Sequence, residues 1–211
     1  VDAVVIARDG LEPAPCCGKT TGMIASETLL SLDLPTMRRA AAHEAIDRLG
    51  LLTADAAEVI IALLADARGL HPRRLCAEYR RRGLQIDAAQ KKVLGMRKNG
   101  ALSLEALAHL TPAGRRQPVT AHETVLLRAG FSVARQTSVR SFLALVDQRA
   151  LSPSALVFTY DFAARDCPGC KTLDGAPVEP RKAAIFPPPD CACPAPGYAI
   201  QAHVDWLAEV D

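Results

Sequence analysis

Four cysteines near the C-terminal end carry the strongest chemical signal in this chain: Cys167-Pro-Gly-Cys170, then Cys191-Ala-Cys193. Two close pairs, twenty residues apart, can close around one tetrahedral ion. The pattern is near the two-pair zinc arrangement, although the second pair has one intervening residue in place of two. Pro168 and Gly169 suit a tight turn between the first two sulfurs. The stretch between the pairs, 171–190, has prolines at 177, 180, 187, 188 and 189 and little to pack. Such a segment needs a staple, and metal binding by thiolates supplies folding free energy directly. The expected cofactor is therefore one structural zinc on Cys167, Cys170, Cys191 and Cys193. Two other chemistries remain open. A Cys-x-x-Cys can be a redox pair, which would make the chain a thiol oxidoreductase working through Cys167 and Cys170. Two disulfides could also form, leaving one of the seven cysteines over, but nothing in the sequence argues for an oxidising compartment.

The elements that must position these thiols are mostly helical. Aromatic residues are 4% of the chain and hydrophobic residues 49%, enough for a core and low in the residues that favour strands. The 211 residues make one large domain or two small ones. No apolar run reaches membrane-spanning length, so the expectation is a soluble protein with no membrane partner.

Met37, Ala41, Ala45, Ile46 and Leu49 recur at helical spacing after Asp33-Leu-Pro35, and Gly50 ends that run. Thr53 is expected to cap a second helix whose stripe is Ala56, Ile60, Leu63 and Leu64. Pro72 opens a third, basic helix that Gly83 ends; Asp87 caps a fourth; Ser103 starts a short one that Pro112 stops. Residues 111–119 read as a linker between a helical domain, 1–110, and a second domain, 120–211. Thr120-Ala-His-Glu123 reads as a capping box, and Gly130 as a break before a further helix bearing Val139, Phe142, Leu143 and Val146. Leu156, Phe158, Tyr160 and Phe162 alternate with Val157, Thr159 and Asp161, the mark of a half-buried strand. The cysteine module, 155–197, follows. A last helix is expected to carry Ile200, His203, Val204 and Leu207 on one face. The fold class is therefore mainly α, with a helical N-terminal half and a small α+β C-terminal module whose short strands surround a four-cysteine site.

The net charge of +2 conceals an asymmetry. Residues 1–67 carry five basic and ten acidic side chains, net −5; residues 68–98 carry ten and two, net +8; residues 99–211 carry ten and eleven, net −1. The basic block includes Arg73, Arg74, Arg80, Arg81, Arg82, Lys91, Lys92, Arg97 and Lys98. It can neutralise phosphates, meet an acidic protein surface, or simply form a solvated face. No aromatics are interleaved as stacking platforms for bases.

Several weaker patterns fail. Gly18-Lys19-Thr20 ends like a phosphate-binding loop, but Pro13 stands where the first glycine is required. His43-Glu44 and His122-Glu123 begin a zinc-protease pattern, but Asp47 and Leu126 occupy the second histidine positions. Cys16-Cys17 has no partner pair, and Cys76 reads as a small buried hydrophobe. His203 reads as a packed or surface residue. No nucleophile with an evident base is present, so no enzyme activity is expected.

At the cysteine module the chain resembles the phage head morphogenesis proteins, the minor head proteins of the phage Mu F type. The resemblance rests on Ala134-Arg135-Gln136-Thr137, then Val157-Phe158-Thr159-Tyr160. Arg165-Asp166-Cys167-Pro168-Gly169-Cys170-Lys171-Thr172-Leu173-Asp174-Gly175 follows, and Pro187-Pro188-Pro189-Asp190-Cys191-Ala192-Cys193 closes it. It covers roughly residues 120–197; Pro188 stands where the family's loop has a histidine, and Ala192 where it has an arginine. The resemblance implies a non-enzymatic virion or head-assembly component, found in the virion and, during assembly, in the host cytoplasm. It implies portal, capsid or neck proteins as partners within a larger homo- or hetero-oligomeric assembly. The basic block leaves a second reading, a nucleic-acid-binding protein that contacts DNA through 68–98.

Overall fold

The computed structural model describes residues 33–66, 68–150, 156–162, 167, 177–179, 181, 183, 186, 187, 191, 193, 198–205 and 207. Within these, helix α1 (Leu34–Leu49) starts where Asp33 accepts a hydrogen bond from the Thr36 amide at 2.8 Å, with Pro35 in its first turn. Gly50 ends it in the left-handed region, φ 58°, a conformation costly to any residue with a Cβ. A 3₁₀ turn (Ala54–Ala56) leads into α2 (Ala57–Leu64). Thr53 stands at the head of that turn, but its side chain makes no cap bond, contrary to expectation; its amide donates to the His109 carbonyl instead.

Helix α3 (Pro72–Arg81) has its Pro in the first turn and the His71 ring accepting from the Arg73 amide. Asp87 and Gln90 form a reciprocal capping box on α4 (Ala88–Val93). Ser103 caps α5 (Leu104–Ala108). The segment read as a linker carries a helix of its own, α6 (Pro112–Arg115), capped by Thr111, whose hydroxyl also donates to the Gly50 carbonyl at 2.7 Å. Gly114 lies so close to the Leu51 carbonyl that any Cβ there would collide with it. This stretch is therefore packed onto the start of the chain's helical half.

Helix α7 (Ala121–Asp147) is the axis of the molecule. At 27 residues it is about 40 Å long. The expected break at Gly130 does not occur. A Cβ there would meet Leu64 Cδ2 at 3.8 Å, an ordinary contact, so the glycine is a weak point that flanking burial overrides. The expected Thr120–Glu123 capping box is also absent: Thr120 makes no cap bond, and Glu123 pairs with Arg73 instead. The first half of α7 packs on α1, α2 and α3, and Ala121, Val125, Leu126 and Ala129 enter one core with Ala41, Ile46, Ile60 and Leu75.

The second half of α7 carries a separate core. Val139 and Leu143 meet Leu156 and Phe158 of strand β1 (Leu156–Phe162), with Ala183, and Phe142 stands edge-on to Phe158 at 5.9 Å. The sheet has the order β2-β1-β3, all antiparallel, with β2 at Pro177–Val178 and β3 at Tyr198–Val204. Register runs from Leu156 opposite Val204 to Phe162 opposite Tyr198. The last element is thus a strand where a helix was expected. Ile200, His203, Val204 and Leu207 fit a helical face only by coincidence. The pairing that matters is Ala202 and Val204 toward the core and Gln201 and His203 away from it, a period of two. The architecture is mainly helical with a small antiparallel sheet beside a cysteine cluster. Among the described residues, no helix is long and apolar enough to cross a membrane.

Candidate metal centre

Cys167 follows β1, and Cys191 and Cys193 close the proline-rich loop that returns to β3. Two features anchor that loop. Ala183 is fully buried in the sheet core, and Phe186 packs against the helical core, so the chain is pinned before it reaches Cys191. The result is convergence: the sulfurs of Cys167, Cys191 and Cys193 all lie within 4.8 Å of one another. Cys191 is fully buried; the other two are half-buried. None of the three is disulfide-bonded. The fourth expected ligand, Cys170, lies outside the described residues.

These side chains fit a metal. Thiolates around a tetrahedral zinc, with bonds of about 2.3 Å, stand roughly 3.8 Å apart, so a small contraction lets these three sulfurs ligate one ion. All-sulfur donor sets suit zinc, copper(I) and iron–sulfur clusters. The protonated cluster is self-reinforcing: burial pushes the Cys193 thiol up to about 11, and neighbouring Cys167 and Cys191 add to the shift. A cation among the three sulfurs reverses that balance and holds them as thiolates.

Behind the thiols stands a residue that sequence reasoning passed over. Arg128, on α7, is 0% exposed and the largest fully buried side chain among the described residues. Its Nε and Nη2 bind Glu44 of α1, the shortest contact being 2.6 Å. Its Nη1 donates to the Cys193 carbonyl at 2.9 Å and faces Cys191 Sγ at 3.8 Å. Burial disfavours the guanidinium's charge, but the Glu44 bonds outweigh this and raise its pKa, so the cation is secure. Glu44 appears in the sequence only as part of a failed protease motif. The helical spacing of Arg128 along α7 contains no sign of a partner 63 residues away.

A second buried polar group lies between α3, α5 and α7. His122 is fully buried, edge-on to Tyr79 at 5.3 Å and tilted against His109 at 6.2 Å. Among the described residues, neither ring nitrogen of His122 has a hydrogen-bond partner. Burial pushes its pKa down to about 3, with His109 and Arg80 contributing, so the ring is neutral. The Tyr79 hydroxyl bonds His109 Nδ1 at 2.9 Å. Cys76, also fully buried, has its thiol pushed up to about 12 by burial, as befits a small core residue.

The basic block divides in the structure. Arg73 pairs with Glu123, Arg74 with Glu78, and Arg80 is only 6% exposed, so these three are engaged within the fold. Arg81, Arg82, Lys92, Arg97 and Lys98 are exposed, and Lys91 is half-buried with its ammonium on the Lys98 carbonyl at 3.4 Å. None of these six enters an ion pair among the described residues. His203, expected on a helix, stands on β3 with its ring bonded to the Thr159 hydroxyl at 2.7 Å.

Comparison with known protein families, with curated proteins and with solved structures finds no match.

Proposed function

We propose that this chain is a non-enzymatic structural or assembly component of a phage particle, with a zinc-stapled module as its interaction surface. The supporting observation is the cysteine module itself. Its order of motifs over 120–197 resembles the Mu F-type minor head proteins, and three of its four cysteines converge to within 4.8 Å. Zinc is the metal this reading selects, because a closed set of four thiolates from Cys167, Cys170, Cys191 and Cys193 is a structural zinc geometry with no position left for substrate. The metal's work is to fold a proline-rich loop that has little core. The partners are other virion proteins of the portal, capsid or neck. Locating the chain by imaging in assembled particles tests the reading: density at the portal or neck supports it, and a chain absent from purified particles overturns it.

The basic surface supports a second reading, contact with DNA through Arg81, Arg82, Lys92, Arg97 and Lys98. Charge reversal, Arg81→Glu with Arg82→Glu, separates the two. A steep fall of binding with salt in the native chain, lost in the variant at unchanged thermal stability, is the outcome for nucleic acid. Salt-insensitive binding to a capsid or portal protein, unchanged by the variant, is the outcome for the first reading.

A further inference from the structure

We infer that the Glu44–Arg128 pair is a clasp that supports the metal centre from the helical body, so that metal occupancy and the packing of α1 against α7 are coupled. The inference rests on the metal reading of the cysteine cluster. A buried guanidinium is an expensive way to fill space: its desolvation is costly, and an apolar side chain of similar size packs more cheaply. What an apolar side chain cannot supply is donors. Arg128 uses one edge of its fork on Glu44 and turns the other toward the cysteine loop, where Nη1 reaches the Cys193 carbonyl at 2.9 Å and Cys191 Sγ at 3.8 Å. The first contact fixes the backbone of one ligand. The second places an N–H against the sulfur of another, where a metal-bound thiolate, rich in charge, accepts it more strongly than a thiol does. Glu44 neutralises the guanidinium and sets its rotation, so its effect on the cysteines passes through Arg128. Both are positioning residues.

The same contacts run in reverse. Glu44 is on α1 and Arg128 on α7, two helices whose packing builds the main core. Phe186, from the same loop, packs on that core as well. A loop ordered by metal therefore holds both, and reciprocity requires that whatever the clasp adds to metal affinity, metal adds to the stability of the clasped helices.

The test uses the full chain in native, Glu44→Gln and Arg128→Lys forms. Zinc affinity is read by competition with a chelator, and the cobalt(II)-substituted protein is read by its thiolate-to-metal absorption. Arg128→Lys keeps the charge but loses the fork; Glu44→Gln leaves the cysteines and Arg128 in place and is the milder change should the lysine variant fail to fold. The expected result is a native chain that binds zinc, with affinity lowered by about 10–100-fold in Glu44→Gln, the range for outer-shell partners of metal ligands. The absorption band should shift in Arg128→Lys, a change that loss of packing alone would not produce. Zinc should also raise the helical melting temperature less in either variant than in the native chain. Native protein that binds zinc, with Glu44→Gln within about twofold of it and an equal melting shift, overturns the clasp alone. Native protein that binds no zinc or cobalt overturns the metal reading and the clasp with it.

Discussion

In the helical body four helices start on a cap from their own neighbourhood. Asp33, Asp87, Ser103 and Thr111 cap four helices, and a continuous core runs from Ala41 to Ala129. In the cysteine module the closures are long-range. Its sheet core has five buried members among the described residues, and the loop from β2 to β3 is fixed by Phe186, by Arg128 and by three thiols that meet at one point. The body has burial and capping to fold on; on the metal reading proposed above, the module draws on chemistry as well. The two regions are joined along α7, which lends its first half to one core and its second half to the other.

The largest effect should come from breaking the module's chemistry. Cys191→Ser, or removal of metal by a strong chelator, should collapse hydrogen-exchange protection over 156–204 while residues 34–115 lose far less, the loss there falling on α1 around its Glu44 contact with Arg128. Equal loss in both halves would mean a single cooperative core and no division of the kind described. A smaller effect of opposite address concerns His122. Its folded pKa, about 3, lies below the unfolded value of about 6.5, so the unfolded chain takes up the proton first. Stability of the body is thus full above about pH 6.5 and falls as pH drops toward 3, by at most about 1.4 kcal/mol per pH unit from this group. His122→Leu should flatten that limb when urea midpoints at 222 nm are compared at pH 7 and pH 4.5. An unchanged pH slope would show that the ring is not held neutral by its surroundings.

Part of the body's capping was legible in the sequence because capping is local; the Thr111 cap, equally local, lay inside the stretch read as a linker. Asp33 with Pro35, Asp87 and Ser103 announce helix starts within four residues, and the structure has each of them. The alternation at 156–162 is likewise local, and Leu156 and Phe158 are buried as it requires. What failed was decided at a distance. Gly130 weakens α7, but contacts on either side carry the helix through. Residues 198–204 have apolar positions that fit either period, and pairing with β1 settles them as a strand. Thr120 and Glu123 have the spacing of a capping box, but Arg73 claims the glutamate. At the site, spacing singled out Cys167, Cys191 and Cys193, which converge, whereas Glu44 and Arg128 were not legible, since 84 residues separate two side chains that read singly as ordinary surface charges.

Two small effects sharpen the comparison from the body's side. Asp87→Ala should cost the body about 1 kcal/mol by removing the capping box of α4, measured as a drop in urea midpoint, and should leave the metal content of the chain unchanged. A loss of metal in this variant would show that the two regions are not separable. Gly130→Ala should stabilise α7 by about 0.5–1 kcal/mol, since the added methyl meets Leu64 only at van der Waals distance. A destabilised variant would mean that the helix needs its weak point.

The account depends most on the metal, and its direct measurement is elemental analysis of full-length protein purified without chelator, with thiol titration in parallel. About one equivalent of zinc per chain is predicted, with Cys167, Cys191 and Cys193 unreactive until the metal is removed. Less than about a tenth of an equivalent of any metal, with freely reactive or disulfide-bonded cysteines in folded protein, would contradict it.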